Sequence, residues 1–408
     1  MTTWLEQLRG EAQAAFDASG LPTRRVEAWK YSDLARAMER ARGGVAEGEV
    51  LAFPPHGAHV IEIVDGVTTT PAEAGLSQSL RSALAAPSDL VTKNLGQVAS
   101  DPSHPILALN TALMEDGVVI HVPKGMDEGL IHLRYSWSGS DTAQEGHHLR
   151  VLLVLEAGSS ATLLETHEGP GATGLATFVT EVVLDAGARL HHIRFEGLDA
   201  AARQSAVLAA DVKRDAALTG FYLSRGAAFS RHEVLAQLGG EGADVTLDGS
   251  YLVAGEGHCD NTTVIAHAVP HTTSRQVFRG VLSGSAHGVF QGRVIVEAGA
   301  QGTDARQQSR TVLLSRRAEI DTKPELEIFA DDVKCAHGAT AGELDPAALF
   351  FLRARGIPEK EARALLVEAF LEEGLAALKD EALHAEARRF VRQWLDAHAA
   401  EVSDVGGR

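Results

Sequence analysis

Cysteine is nearly missing from this chain: Cys259 and Cys335 are its two thiols among 408 residues. Two cysteines build no disulfide framework and no CxxC pair, so a disulfide-stapled secreted domain is excluded and a reducing cytoplasm is expected. Aromatic residues reach only 5%, too few for a thick aromatic core. Lysine and arginine total 37 against 55 acidic residues, a net charge of −18. Nucleic acid is then excluded as a partner, because neutralising phosphates takes clustered basic residues. No apolar run approaches the ~18 residues of a membrane span. The opening MTTWLEQLRGEAQ has neither the basic start nor the apolar centre of a signal peptide. Enzyme signatures are missing as well. There is no GxxxxGK[ST] loop, no GxSxG elbow and no HExxH helix; HEGPG at His167 and HEVLA at His232 each lack the second histidine. GPGATG, Gly169 to Gly174, fits GxGxxG in letters, but it contains Pro170 and precedes the strand-like LATFVTEVVL, so the phosphate-cradling helix is absent.

Glycine, by contrast, is plentiful at 40 residues, which suits many tight turns. Three textures follow one another. Up to about residue 102 the pattern is mixed and largely helical. Thr3 to Ala18 is amphipathic, Glu27 to Met38 reads as a helix closed by Gly43-Gly44, VIEIVDG reads as a strand and SQSLRSALA as a helix. From 103 to 330 short β-rich runs succeed one another, punctuated by Gly, Asp or Asn. From 331 to 408 helical periodicity returns, over Pro346 to Arg355, Pro358 to Glu373 and Glu381 to Ala399, with a tail, VSDVGGR, expected to be disordered. In the middle region LEAGS, LDAGA and VEAGA look alike. Their glycines, Gly158, Gly187 and Gly299, are 29 and 112 residues apart, and 112 is four times 28. Such a period fits the coils of a parallel β-helix. The punctuation fits an antiparallel β-sandwich too.

The chemistry concentrates in Phe329 to Leu344, FADDVKCAHGATAGEL. In an extended segment Cys335 and His337 point the same way. Thiolate and imidazole suit iron, zinc or sulfur chemistry, yet a metal or cluster usually takes about four ligands. Two ligands make half a site. The bland alternative, a buried cysteine beside a polar turn, fits poorly with Asp331, Asp332 and Lys334 in the segment and with Gly338 and Gly342. Cys259 reads as a small hydrophobe within a strand. His267 and His271 flank Pro270 and cannot form a helical pair. Adjacent pairs such as His191-His192 are expected by chance among 18 histidines.

These residues also carry a resemblance. DDVKCAHGATAGELD with LFFLRARGIP, EAWKYSDL at Glu27 to Leu34, Asp260 to Ser274 and Gly288 to Ser315 together resemble the SufB/SufD family of SUF iron–sulfur cluster assembly subunits, over almost the whole chain. The SufD branch is the better match, because SufB tends to carry a glutamate-bearing HEA where this chain has His337-Gly338-Ala339. The resemblance implies a mainly β fold: a right-handed parallel β-helix core flanked by N-terminal and C-terminal helical domains. It implies a non-catalytic subunit that pairs with SufB and docks SufC, an ABC-type ATPase whose ATP-driven closure would move both helical domains. Cys335 and His337 would face the partner and hold iron or a nascent cluster transiently, with no tightly bound cofactor. The segment Phe350, Phe351, Leu352, Arg353, Arg355 and Ile357 would dock the ATPase. Self-pairing of the isolated chain stays open. The alternatives are a SufB-like cluster-bearing scaffold, which should own more cysteines, and a β-helix enzyme acting on carbohydrate or transferring acyl groups.

Overall fold

The computed structural model describes residues 3–39, 53–57, 59–70, 76–138, 146–171 and 174–399. Gly43-Gly44 and the VSDVGGR tail lie outside the described residues. Runs such as HLRVLLVL and ATFVTEVVL are rich in branched residues on both faces, which marks strands buried on both sides. Each coil contributes one strand to each of two sheets, a ten-stranded one ending in Val333–Gly342 and a nine-stranded one ending in Glu319–Ile328. Pairing between successive coils is parallel, as in Ser230↔Cys259 and Cys259↔Gly288. The chain is therefore a β-solenoid of about 8 turns, the parallel β-helix expected, with helices at both ends of the sequence. Strand His59–Val64 already pairs with the solenoid at one end, and Val333–Gly342 continues it at the other, so regular pairing extends outside the 103–330 span read from composition.

The turns between sheets explain the glycine content and correct one anchor. Gly125, Gly158, Gly187, Asp215, Gly242, His271 and Gly302 all have positive φ. Several stack as a backbone ladder: Gly158 N–H donates to Ala186 O at 2.9 Å, Gly187 to Arg214 O at 2.8 Å and Asp215 to Glu241 O at 3.0 Å. A corner this tight needs one left-handed residue per coil, which glycine adopts freely and Asp or His adopts at modest cost. Gly299 is not in this column; Gly302, three residues later (302 − 299), takes the corner. From Asp116 onward the coil length also varies, from 26 residues (Arg203↔Phe229, 229 − 203) to 33 (Asp116↔Leu149, 149 − 116), so the multiple of 28 was coincidental.

The helices are α1 (Thr3–Ser19), α2 (Leu34–Glu39), α3 (Leu80–Ala85), α4 (Asp89–Asn94), α5 (Pro105–Leu113), α6 (Pro346–Arg353), α7 (Glu359–Leu375) and α8 (Glu381–Ala397). The single helix expected over Glu27 to Met38 is instead a 3-10 turn at Glu27–Trp29 followed by α2. Asp33 Oδ1 accepts the Arg36 N–H at 3.0 Å, a cap that starts a new helix rather than continuing an old one. Among the described residues no helix is long and apolar enough to cross a membrane.

The two sets of helices cover different sheets. Leu5, Leu80, Trp29 and Ile106 pack on Val119, Leu152, Val179 and Val207 of the nine-stranded sheet. Val367, Leu371, Phe390 and Trp394 of α7 and α8 pack on Phe195, Leu252 and Val281 of the ten-stranded sheet. Each such side chain contributes roughly 1.5–3 kcal/mol by leaving water. Polar staples add register. Arg231, fully buried, is paired with Asp260 and Glu233, lies over the Trp29 ring at 4.2 Å and donates to Ala28 O at 3.1 Å. Ser32 Oγ donates to Asp260 Oδ2 at 2.5 Å. The EAWKYSDL run is thus the clasp that fastens the N-terminal segment to the sheet.

Candidate functional site

Cys335 and His337 lie on Val333–Gly342, the last strand of the ten-stranded sheet. The register sets Cys335 beside Ala305 and His337 beside Gln307. Ala305 and Gln307 are 0% and 3% exposed and face the solenoid interior. The interior direction is fixed by Thr263 of the opposite sheet, which donates to Gln276 Oε1 at 2.5 Å, while Gln307 Nε2 donates to the same oxygen at 3.3 Å. Cys335 and His337, two residues apart, take that same interior-facing direction. Among the described residues no further coil covers them, so a direction that is buried one coil earlier opens here onto the end of the solenoid.

The pair is unequal. Cys335 is half-buried against Val294, Val296, Ala300, Ala305 and Ala330. Burial pushes its thiol above the ordinary value, the Asp304 carboxylate adds to the rise, and the Ala305 N–H opposes it. A metal or sulfur species arriving here must displace a proton from the sulfur. His337 is exposed. Among the described residues no three His, Cys, Asp or Glu side chains converge as a metal site, so the chain brings two ligands to this edge.

The second predicted segment follows at once. Asp345 Oδ1 accepts the Ala347 N–H at 2.8 Å and caps α6, with Pro346 in its first turn. No residue of α6 is buried, although its sequence is PAALFFLR. Phe350 is 74% and Phe351 53% exposed, while Leu352 and Ile357 are half-buried. Arg355 lies over the Phe351 ring at 3.4 Å, and Arg353 pairs with Glu359 at 3.2 Å. An apolar patch rimmed by charge on a short helix is the chemistry of a docking surface.

Other sequence candidates fall elsewhere. Cys259 is 2% exposed inside the solenoid, with its thiol pushed up by burial, and its neighbour Asp260 points outward to Arg231, as strand alternation required. His267 is buried between Thr272 Oγ1 at 2.8 Å and Ser274 Oγ at 2.9 Å. His271 occupies a corner with φ 57°. Sequence reasoning missed a polar cluster within the solenoid. Arg194 Nη1 lies 2.8 Å from Glu165 Oε2, and His192 Nε2 lies 3.4 Å from Glu165 Oε1. Burial opposes ionisation of Glu165, yet His192, His167 and Arg194 hold its pKa well below the carboxylate range. Burial and Arg194 lower His167 to about 3, so its ring stays neutral. Spacings of 27–29 residues (192 − 165, 194 − 165) were the available signal, legible only with the coil register in hand.

Residues 138–370 match the family described as SUF system FeS cluster assembly, SufBD core domain, and residues 67–129 match the SufBD protein N-terminal region. The chain is 29% identical over 394 residues to the iron–sulfur cluster assembly protein SufD of Escherichia coli, covering 93% of this chain and 91% of that protein. It is 31% identical over 321 residues to SufD of Bacillus subtilis, covering 74% and 72%. A SufBD family protein of Synechocystis is 29% identical, covering 94% and 90%.

Proposed function

The chain belongs to the SufBD family of iron–sulfur cluster assembly proteins, and from that premise we propose that it is a SufD-type, non-catalytic subunit that completes an assembly site only with a partner. The carrying observation is the placement of Cys335 and His337 side by side on the last strand of an open solenoid end. A SufB-type chain set against this end would contribute the missing ligands. Iron and sulfur would then meet as substrate between the two chains, with Cys335 supplying thiolate and His337 imidazole.

The exposed face of α6 supports docking of SufC, an ABC-type ATPase, through Phe350 and Phe351 with Arg353 and Arg355 at the rim. α7 is packed on the solenoid through Val367 and Leu371, so a pull on α6 reaches the sheet that carries Cys335 through packed side chains. The test is loading of the assembled complex. His337→Ala and Cys335→Ala should each abolish iron–sulfur absorbance in the complex, while the circular dichroism of the isolated chain stays unchanged. Full loading by either variant overturns the reading.

A further inference from the structure

One interior column of the ten-stranded sheet changes character along the solenoid. Near its start the register sets Ile131 beside Leu163, and near its finish it sets Leu247, Gln276, Gln307 and His337 side by side. Apolar rungs need nothing but packing. A buried amide is different, because each unused hydrogen-bonding group costs free energy. Gln276 and Gln307 are both buried, so what their oxygens and nitrogens touch is an accounting question.

The two amides stack with a direction. Gln276 Oε1 accepts from Thr263 Oγ1 of the opposite sheet and from Gln307 Nε2. Gln307 therefore spends its nitrogen on the coil behind it. Its Oε1, on the other side of the amide, is buried with no hydrogen bond. The coil ahead carries His337 at this position of the register. Space for the amide comes from the opposite sheet, where Gly292 has no side chain; a methyl group there would collide with the end of Gln307. Pro324, which follows Gly292 in its own column, brings no donor. Of the interior-facing residues on the last strand, Val333, Cys335, His337, Ala339 and Ala341, only His337 carries a side-chain N–H.

His337 has the complementary need. It is exposed, so solvent can serve both ring nitrogens of the isolated chain. A partner laid over this end removes that solvent. An imidazole that gives one nitrogen to a metal holds its orientation by donating the N–H of the other. One buried oxygen lacks a donor, one ring will lack an acceptor, and the register sets them on adjacent rungs.

We infer that Gln307 is the positioning residue of this site: in the assembled complex its Oε1 accepts the ring N–H of His337, fixes the tautomer and turns the other nitrogen toward incoming iron. The inference rests on the functional reading above and adds the residue that orients its imidazole.

The experiment uses the chain assembled with its SufB-type and SufC-type partners. Solid-state NMR of 15N-labelled histidine, with Zn2+ as a diamagnetic probe, reads the His337 tautomer as the difference between the unmodified complex and His337→Ala. A single tautomer is expected. Gln307→Met keeps the length of the side chain and deletes the acceptor; both tautomers appear and iron–sulfur loading falls about tenfold. Gln307→Glu, which keeps an acceptor, restores the single tautomer and most of the loading. Gly292→Ala displaces the amide without altering either partner and acts like Gln307→Met. Mixed tautomers in the unmodified complex overturn the inference, and that measurement needs no variant of Gln307. So do equal losses in Gln307→Met and Gln307→Glu, or full loading by Gln307→Met and Gly292→Ala with native circular dichroism. A loading defect in His337→Ala beside an unaffected Gln307→Met sinks the inference alone; full loading by His337→Ala sinks the functional reading itself.

Discussion

At its start the solenoid finishes in antiparallel pairing, His59–Val64 with Val67–Thr68 and Ser77–Ser79 with Asp116–Val122, and the buried Asp116 accepts the Thr68 N–H at 3.1 Å. At its finish, Glu319–Ile328 and Val333–Gly342 are each paired on one side only among the described residues, and Ile328 and Phe329 stand 39% and 63% exposed. Exposed strand edges invite uncontrolled pairing, and proteins ordinarily blunt them. This chain blunts one end with reversed strands and leaves the other as two edges carrying a thiol, an imidazole and a row of charges. The difference teaches that the open end is not a failure to cap, because the same chain caps its other end.

The contrast is broken most severely by asking what each region tolerates. Asp260→Ala removes a partner from the fully buried Arg231 and should cost about 3–5 kcal/mol in urea unfolding. Asp321→Ala on the open edge should stay within about 0.5 kcal/mol. Comparable losses would mean that the finish is packed as tightly as the middle.

Acid separates the regions next. Burial lowers His132 and His167 to about 3 and His148 and His267 to about 4. A depressed histidine binds its proton more readily when unfolded, so its contribution is present above the unfolded value near 6.5 and is lost as pH falls toward the folded one. Between pH 7 and pH 5 each should cost about 2 kcal/mol, read as a falling denaturation midpoint. His267→Gln should flatten that acid limb.

A smaller effect comes from the corners. Gly187→Ala has room for its methyl group but forces a side chain onto φ +72°, a cost of about 1–2 kcal/mol. Gly338→Ala, with nothing within 4 Å and no left-handed backbone, should be neutral to thermal unfolding. Smallest of all, Phe350→Ala should move stability by less than about 0.5 kcal/mol, since Phe350 is 74% exposed. Retention of a P-loop ATPase in pull-downs should fall with it all the same.

Much of this was legible in the sequence where local rules act alone. Pro346 and Pro358 announced their helices because a helix start needs only neighbouring residues. The interior cysteine and the outward Asp260 followed from strand alternation. What the sequence hid depends on register between coils. Asp215 and His271 stand in a column otherwise made of glycine, so no glycine pattern marks those turns, and Gly299 imitates a corner it does not occupy. The Glu165–Arg194 cluster joins residues 29 apart (194 − 165) that have no local relation. Cys335 and His337 were found by their chemistry, whereas their openness to solvent depends on where the coils stop.

The clasp formed by Glu27 to Ser32 has a consequence for the order of folding. Its contacts lie on Phe229, Arg231, Asp260, Gln291 and Lys323, all of them made long after it during synthesis. This segment must therefore wait, undocked, for most of the coils to stack, whereas α1 finds its partners in α5 and the first coils. Contacts of such long sequence separation slow folding, and a nascent chain stopped before residue 229 should expose Trp29 to quenchers that the finished protein excludes.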